Sequence, residues 1–159
     1  MKENTLILLA LKSEAEALRI KEKLILRSNE VVSVKTKKEI IKSLTTHIVD
    51  LLITDMQLED TDAIEICKEV RQTKNIPQLF IIVLSDRPED YVQTLALDAG
   101  ADDFILKPFK IEILIARIKA LINRKIILQT ELSSTPNRLV VDMERHLVCI
   151  GSKEVELPR

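Results

Sequence analysis

Three residues carry the chemistry legible in this chain. Asp55, Ser85 and Lys107 each close an apolar run, LLITD, LFIIVLS and DDFILK. Short apolar runs of this kind read as buried parallel strands, whose C-terminal ends open into a common crevice where ligands bind. A carboxylate, a hydroxyl and an ammonium meeting there suit transfer of a phosphoryl group onto the carboxylate. The carboxylate attacks, the ammonium neutralises phosphoryl oxygens, and the hydroxyl donates to one of them. The first apolar run is different: it ends in Ala10 and Leu11, which offer no polar atom.

The elements that must position these residues alternate along the chain. The pattern predicts strands over Leu6–Leu11, Val31–Lys35, Val49–Thr54, Phe80–Leu84 and Asp103–Leu106. Between and after them it predicts helices over Glu14–Leu26, Lys38–Thr45, Asp62–Gln72, Pro88–Ala99 and Ile111–Arg124. Such alternation gives an α/β fold, a doubly wound five-stranded parallel sheet covered on both faces. Asp62, with Glu65 three residues on, reads as the N-cap of the third helix. Gly100 stands where a C-cap glycine belongs. In the last helix Ile111, Leu114, Ile115, Ile118, Leu121 and Ile122 form one apolar stripe.

Composition excludes several classes. The 159 residues are 46% hydrophobic and 31% charged, with net charge −1. That is enough for a core, without the basic excess of a nonspecific nucleic-acid or membrane binder. With only Gly100 and Gly151, there is no dinucleotide fingerprint and no phosphate-cradling glycine loop. His47 and His146 stand alone, and Cys67 and Cys149 match no metal spacing. Cys67 lies on an apolar stripe with Ile64 and Val70 and reads as a buried thiol. Two cysteines without a disulfide framework fit a reducing compartment, and no run is long enough to span a membrane. The expected location is the cytoplasm.

Around the three site residues stand Gly100-Ala101-Asp102-Asp103-Phe104 and Lys107-Pro108-Phe109, followed by IEILIARIKALINR. These motifs, at these distances, resemble the receiver domain of two-component response regulators, and the last helix is similar to that of the OmpR/PhoB subfamily. The resemblance covers about residues 5 to 125. It implies a (βα)5, flavodoxin- or CheY-like fold with Asp55 as phosphoacceptor. Ser85, Phe104 and Lys107 then match the switch hydroxyl, the switch aromatic and the site lysine, with a tight, often cis, Lys107–Pro108 bond. The resemblance also implies a homodimer through helix 4, strand 5 and helix 5. Asp102, Asp103, Arg117, Lys119 and Arg124 match its charged positions, and Ile113 and Gln93 stand where an Arg–Glu pair is usual. Ile113 is off the buried stripe and expected to be exposed.

The chain departs from the family at the metal. The family holds Mg²⁺ with two acids after the first strand together with the phosphoacceptor, and Mg²⁺ wants hard oxygen ligands. Ala10 and Leu11 stand in place of those acids, leaving Asp55 alone, so the Mg²⁺ site is expected to be lost and no cofactor is expected unless the site still works. Glu14 and Glu16 fall on the first helix. Moving the strand register to use them would turn its faces over, so a rescue of the metal site by Glu14 is not expected. Glu59 and Ala63 replace the Pro and Gly usual in the loop after the phosphoacceptor.

The expected organisation is a receiver over 1–125, a linker over 126–137 with the polar run Thr130–Asn137, and over 138–159 the first β segment of an OmpR/PhoB-type DNA-binding domain. Short antiparallel strands are predicted at Leu139–Val141, Leu147–Ile150 and Val155–Leu157. No recognition helix follows before Arg159, so the sequence is expected to be a piece of a longer protein, with DNA bound only through the missing remainder. The expected function is a non-enzymatic response regulator in transcription regulation, with a receiver that dimerises with little or no phosphorylation and with a histidine kinase as a possible partner. Two alternatives stand beside it: a conventional phospho-Asp55 switch with an impaired metal site, and a pseudo-receiver that binds a partner protein rather than DNA.

Overall fold

The computed structural model describes residues 4–27, 29–134, 139–142, 147–150 and 153–156, with side chains up to 128 and at Thr130. Two compact units divide between Leu121 and Ile122.

In the first unit, strands β1 (Leu6–Ala10), β2 (Glu30–Val34), β3 (Leu51–Asp55), β4 (Phe80–Ser85) and β5 (Asp103–Leu106) alternate with helices. These helices are α1 (Glu14–Ile25), α2 (Lys37–Thr46), α3 (Ala63–Gln72), α4 (Asp90–Ala99) and the start of α5 (Ile111–Ser134). The sheet is parallel throughout, in the order β2-β1-β3-β4-β5. The chain therefore reverses its direction of winding between β1 and β3, which is where an open α/β sheet forms its crevice. Every residue of β3 is buried, and Ile81 to Ser85 of β4 are buried. That is why these runs are continuously apolar rather than alternating.

Side chains fix the helix starts. Ser13 accepts from the Glu16 N–H, Thr36 forms a full capping box with Glu39, and Asp62 accepts from the Glu65 N–H. Gly100 ends α4 at φ 120°, a left-handed conformation that costs glycine little. The stripe predicted on α5 is the buried one: Leu114, Ile115, Ile118 and Leu121 are all buried.

The helix itself is longer than the stripe suggests. It runs to Ser134, so 126–134 of the expected linker is helical. The Ile, Leu, Gln and Glu residues of this segment are compatible with helix, and the first proline after it is Pro136. Residues 135–137 lie outside the described residues. In the second unit β6 (Leu139–Asp142), β7 (Leu147–Ile150) and β8 (Lys153–Glu156) form an antiparallel sheet in that order. β6 and β7 fall where strands are predicted, and β8 begins two residues before the predicted Val155.

Cys67 is fully buried on α3, as its stripe implies, and the side chain of Cys149 lies outside the described residues. Burial, outweighing the nearby Arg71 charge, pushes the Cys67 thiol up to about 11 from 9.0. The unfolded thiol loses its proton near 9, whereas the folded one holds it until about 11. The unfolded state therefore binds fewer protons in that window, and stability falls as pH rises through it. Urea unfolding between pH 9 and 11 is expected to lose about 2 kcal/mol that a Cys67→Ala variant does not lose.

Candidate functional site: an ion triad at the ends of β1, β3 and β5

Asp55 is the last residue of β3 and is 6% exposed. Its Oδ2 accepts the backbone N–H of Lys12 at 2.7 Å, across the β1–β3 switch point. Its Oδ1 accepts from Lys107 Nζ at 2.6 Å. Lys107 follows β5, and its backbone N–H donates to the Ser85 carbonyl at 2.7 Å. The Lys107–Pro108 bond is cis, as the resemblance implies. These residues line a cavity of about 300 Å³ with Lys12, Ser13, Ser85 and Asp86.

The residue missed in the sequence is Glu16. Its Oε2 accepts from Lys107 Nζ at 2.8 Å, so one ammonium bridges two carboxylates. Both acids are withdrawn from water, with side-chain exposures of 17% for Glu16 and 8% for Asp55. Glu16 thus enters the site from the first helix, and the strand register does not move. A helix that follows β1 starts at the same edge of the sheet as the crevice. Helical side chains lean toward the N-terminus, so a residue in the first turn reaches back over that edge. Ser13-x-x-Glu16 is the signal that could have found it: it places Glu16 at the third helical position. Glu14, two residues earlier, points elsewhere and pairs with Lys35.

Burial opposes the charge on Lys107, but the hydrogen bonds it donates to Asp55 and Glu16 outweigh that and hold its pKa above the ordinary lysine value. Ser85 is buried at the end of β4, and its Oγ accepts the Arg87 N–H at 3.1 Å. Phe104 is half-buried and packs against the core cluster that includes Val83 and Ala101.

Ala10 and Leu11 are both buried, at 0% and 2% exposure, with Ala10 paired to Thr54 in the sheet. Apolar side chains that are part of the core cannot ligate a cation. Among the described residues no three His, Cys, Asp or Glu side chains gather as a metal site. The two carboxylates that do meet already share an ammonium. The site thus does not fit the Mg²⁺ that the resemblance implies.

The loop after Asp55 keeps a defined shape despite Glu59 and Ala63. Leu58 is buried, its N–H donates to the Thr61 carbonyl, and the Ala63 N–H returns to Met56. Asp60 accepts the Lys37 N–H, tying the loop to the start of α2.

On the α4, β5 and α5 elements, Asp102 and Asp103 are engaged within the chain. Asp102 pairs with Arg71 at 2.8 Å and accepts the Ile81 N–H. Asp103 pairs with Arg117 at 3.2 Å. Gln93, Lys119 and Arg124 are exposed. Ile113 is exposed as expected, and so are Tyr91, Leu95 and Leu106.

This fold and strand-end site define a signalling receiver. The profile of the response regulator receiver domain matches residues 13–119, and the chain belongs to that family. Response regulator ArlR of Staphylococcus aureus is 35% identical over 114 residues, covering 72% of this chain and 49% of ArlR. The chain spans about half the length of the curated relatives it matches. A two-component response regulator from Clostridium difficile superposes with TM-score 0.71 at 27% identity, over 76% of this chain and 98% of that one. The receiver domain of Francisella response regulator 1452 does so with TM-score 0.71 at 26% identity, over 77% and 99%. No described helix is long and apolar enough to cross a membrane.

Proposed function

We propose that this chain is the receiver and the start of the effector of an OmpR/PhoB-type transcription regulator whose receiver acts with little or no phosphorylation of Asp55. The observation that carries this is the ion triad. Lys107 is already shared between Asp55 and Glu16, and Ala10 and Leu11 close β1 with buried hydrocarbon. Phosphoryl transfer depends on cations that offset repulsion between two anions, and losing such electrostatic help costs roughly a hundredfold in rate. Without phosphorylation the receiver works as an assembly module. Exposed Leu95, Leu106 and Ile113 on α4, β5 and α5 favour a homodimer through that face, with Asp103–Arg117 as its charged rim. The three-stranded sheet of the second unit supports an effector segment, and a dimeric effector would read DNA at paired half-sites. In this reading the cytoplasm is its compartment, a histidine kinase is at most an accessory partner, and the chain catalyses no reaction of its own.

The test is intact mass after incubation with acetyl phosphate and Mg²⁺, beside an Asp55→Asn control, with sedimentation of the same samples. The expected result is no phosphoryl adduct on folded protein and a dimer fraction that the phosphodonor does not change. An adduct lost in the control, together with a shift toward dimer, would establish the conventional phospho-Asp55 switch instead.

A further inference from the structure

We propose that Glu16 is the residue that holds the Asp55 site closed to phosphorylation, by making Lys107 the resident cation of the pocket. The inference rests on the reading above and goes beyond it. It assigns the cause to a side chain present on α1, and not only to the acids absent after β1.

Glu16 is held by its helix rather than by chance. Its backbone N–H donates to Ser13, the Ala17 N–H returns to the Ser13 carbonyl, and Ala17, Ile20 and Leu24 bury the face that docks α1. With the helix start satisfied by Ser13, the Glu16 carboxylate is left to reach Lys107. An ammonium has three protons to donate, and this one spends two on carboxylates, at 2.6 and 2.8 Å. Two consequences follow. Lys107 is turned partly toward α1, away from the oxygens that an incoming phosphoryl group would present. Glu16 also adds a negative charge to the cavity wall, so triad and phosphoryl group repel each other more than the Asp55–Lys107 pair alone would. Glu16 touches no reacting atom; it is a positioning residue that acts through Lys107.

Relieving it should open the site. Glu16→Gln is close to isosteric, removes one negative charge and loosens the hold on Lys107. In the reaction with acetyl phosphate an Asp55 carboxylate oxygen attacks phosphorus. The new O–P bond forms as the P–O bond to acetate breaks, and acetate leaves with the bonding pair and no change of oxidation state. Lys107 then follows the phosphoryl oxygens, as the geometry at the end of β5 allows.

The experiment is the initial rate of adduct formation on the full chain by intact mass, for wild type, Glu16→Gln and Glu16→Asp, each in Mg²⁺ and in EDTA. Glu16→Gln is expected to react at least about tenfold faster than wild type in both media, converting a charge repulsion of little more than one kcal/mol. Glu16→Asp, which keeps the charge, is expected to react more slowly than Glu16→Gln. Asp55→Asn in the Glu16→Gln background is expected to abolish the adduct. An unchanged or slower rate in Glu16→Gln overturns the inference, as does a gain confined to Mg²⁺. Should Glu16→Gln fail to fold, Glu16→Ala, at the same helix position, carries the same comparison. Ready labelling of wild type would instead overturn the reading of a phosphorylation-independent receiver, whatever Glu16→Gln does, so the two failures are distinguishable.

Discussion

Lys107→Met is expected to destabilise the protein by about 3 kcal/mol at pH 7, the larger of two strong effects anticipated here. Removing the ammonium leaves two carboxylates facing one cavity, each mostly withdrawn from water, with 8% and 17% side-chain exposure. Only the Lys12 N–H would still donate to Asp55. Breaking a buried pair costs far more than the pair contributed, because the remaining charge keeps its desolvation penalty without its partner. At roughly 4 °C per kcal/mol for a domain of this size, the midpoint of thermal unfolding should fall by about 10 °C.

The pH dependence gives the mechanism away. In the variant, two like charges face each other with no cation between them. In wild type the raised pKa of Lys107 contributes stability at every pH below the ordinary lysine value, lost only at strongly alkaline pH. Adding Asp55→Asn to Lys107→Met should restore most of the loss at pH 7. Asp55→Asn alone should cost much less, since Glu16 still pairs with Lys107. The double-mutant cycle by urea denaturation measures the coupling, and a coupling near zero would mean that the triad is not formed in solution.

Arg71→Ala is expected to cost about 2–3 kcal/mol, with a fall of about 10 °C in the unfolding midpoint. Arg71 lies on α3, yet its guanidinium serves the turn between α4 and β5. Nε and Nη2 donate to the Gly100 carbonyl at 3.1 and 2.9 Å, and Nη1 donates to the Leu79 carbonyl at 2.7 Å. Nη2 also meets Asp102 Oδ2 at 2.8 Å, and that same oxygen accepts the Ile81 N–H. One side chain thus satisfies two carbonyls and anchors the carboxylate that pins β4 to the turn before β5. The fit is close: a Cβ added at Gly100 would lie 2.7 Å from Arg71 Cγ. Truncation orphans acceptors that charge-assisted bonds now satisfy. Arg71→Lys should recover little, because a point charge cannot fork to these acceptors. A calorimetric midpoint within a degree or two of wild type for Arg71→Ala would overturn this account.

Much of the molecule was legible along the chain. Continuous apolar runs dictate a sheet buried on both faces, and their polar last residues dictate which edge carries Asp55, Ser85 and Lys107. These are properties of consecutive residues, fixed by the two-residue period of a strand and the cost of burying an unpaired charge. Gly100, the Asp62 cap and the stripe on α5 are local in the same sense, although the stripe marks only what packs and not where the helix stops. The loss of ligand atoms at Ala10 and Leu11 is equally plain, since no fold can make hydrocarbon bind a cation. Other features depended on distance in space. That Glu16 and not Glu14 enters the crevice depends on how α1 is rotated when Ala17, Ile20 and Leu24 dock. That Arg71 closes a turn 29 residues away depends on where α3 settles beside α4. In both cases the backbone pattern permits several partners, and packing of the apolar faces selects one. Consecutive residues set the sheet, its reactive edge and the absent acids; which carboxylates share Lys107 was left to packing, because an ammonium finds its partners through space.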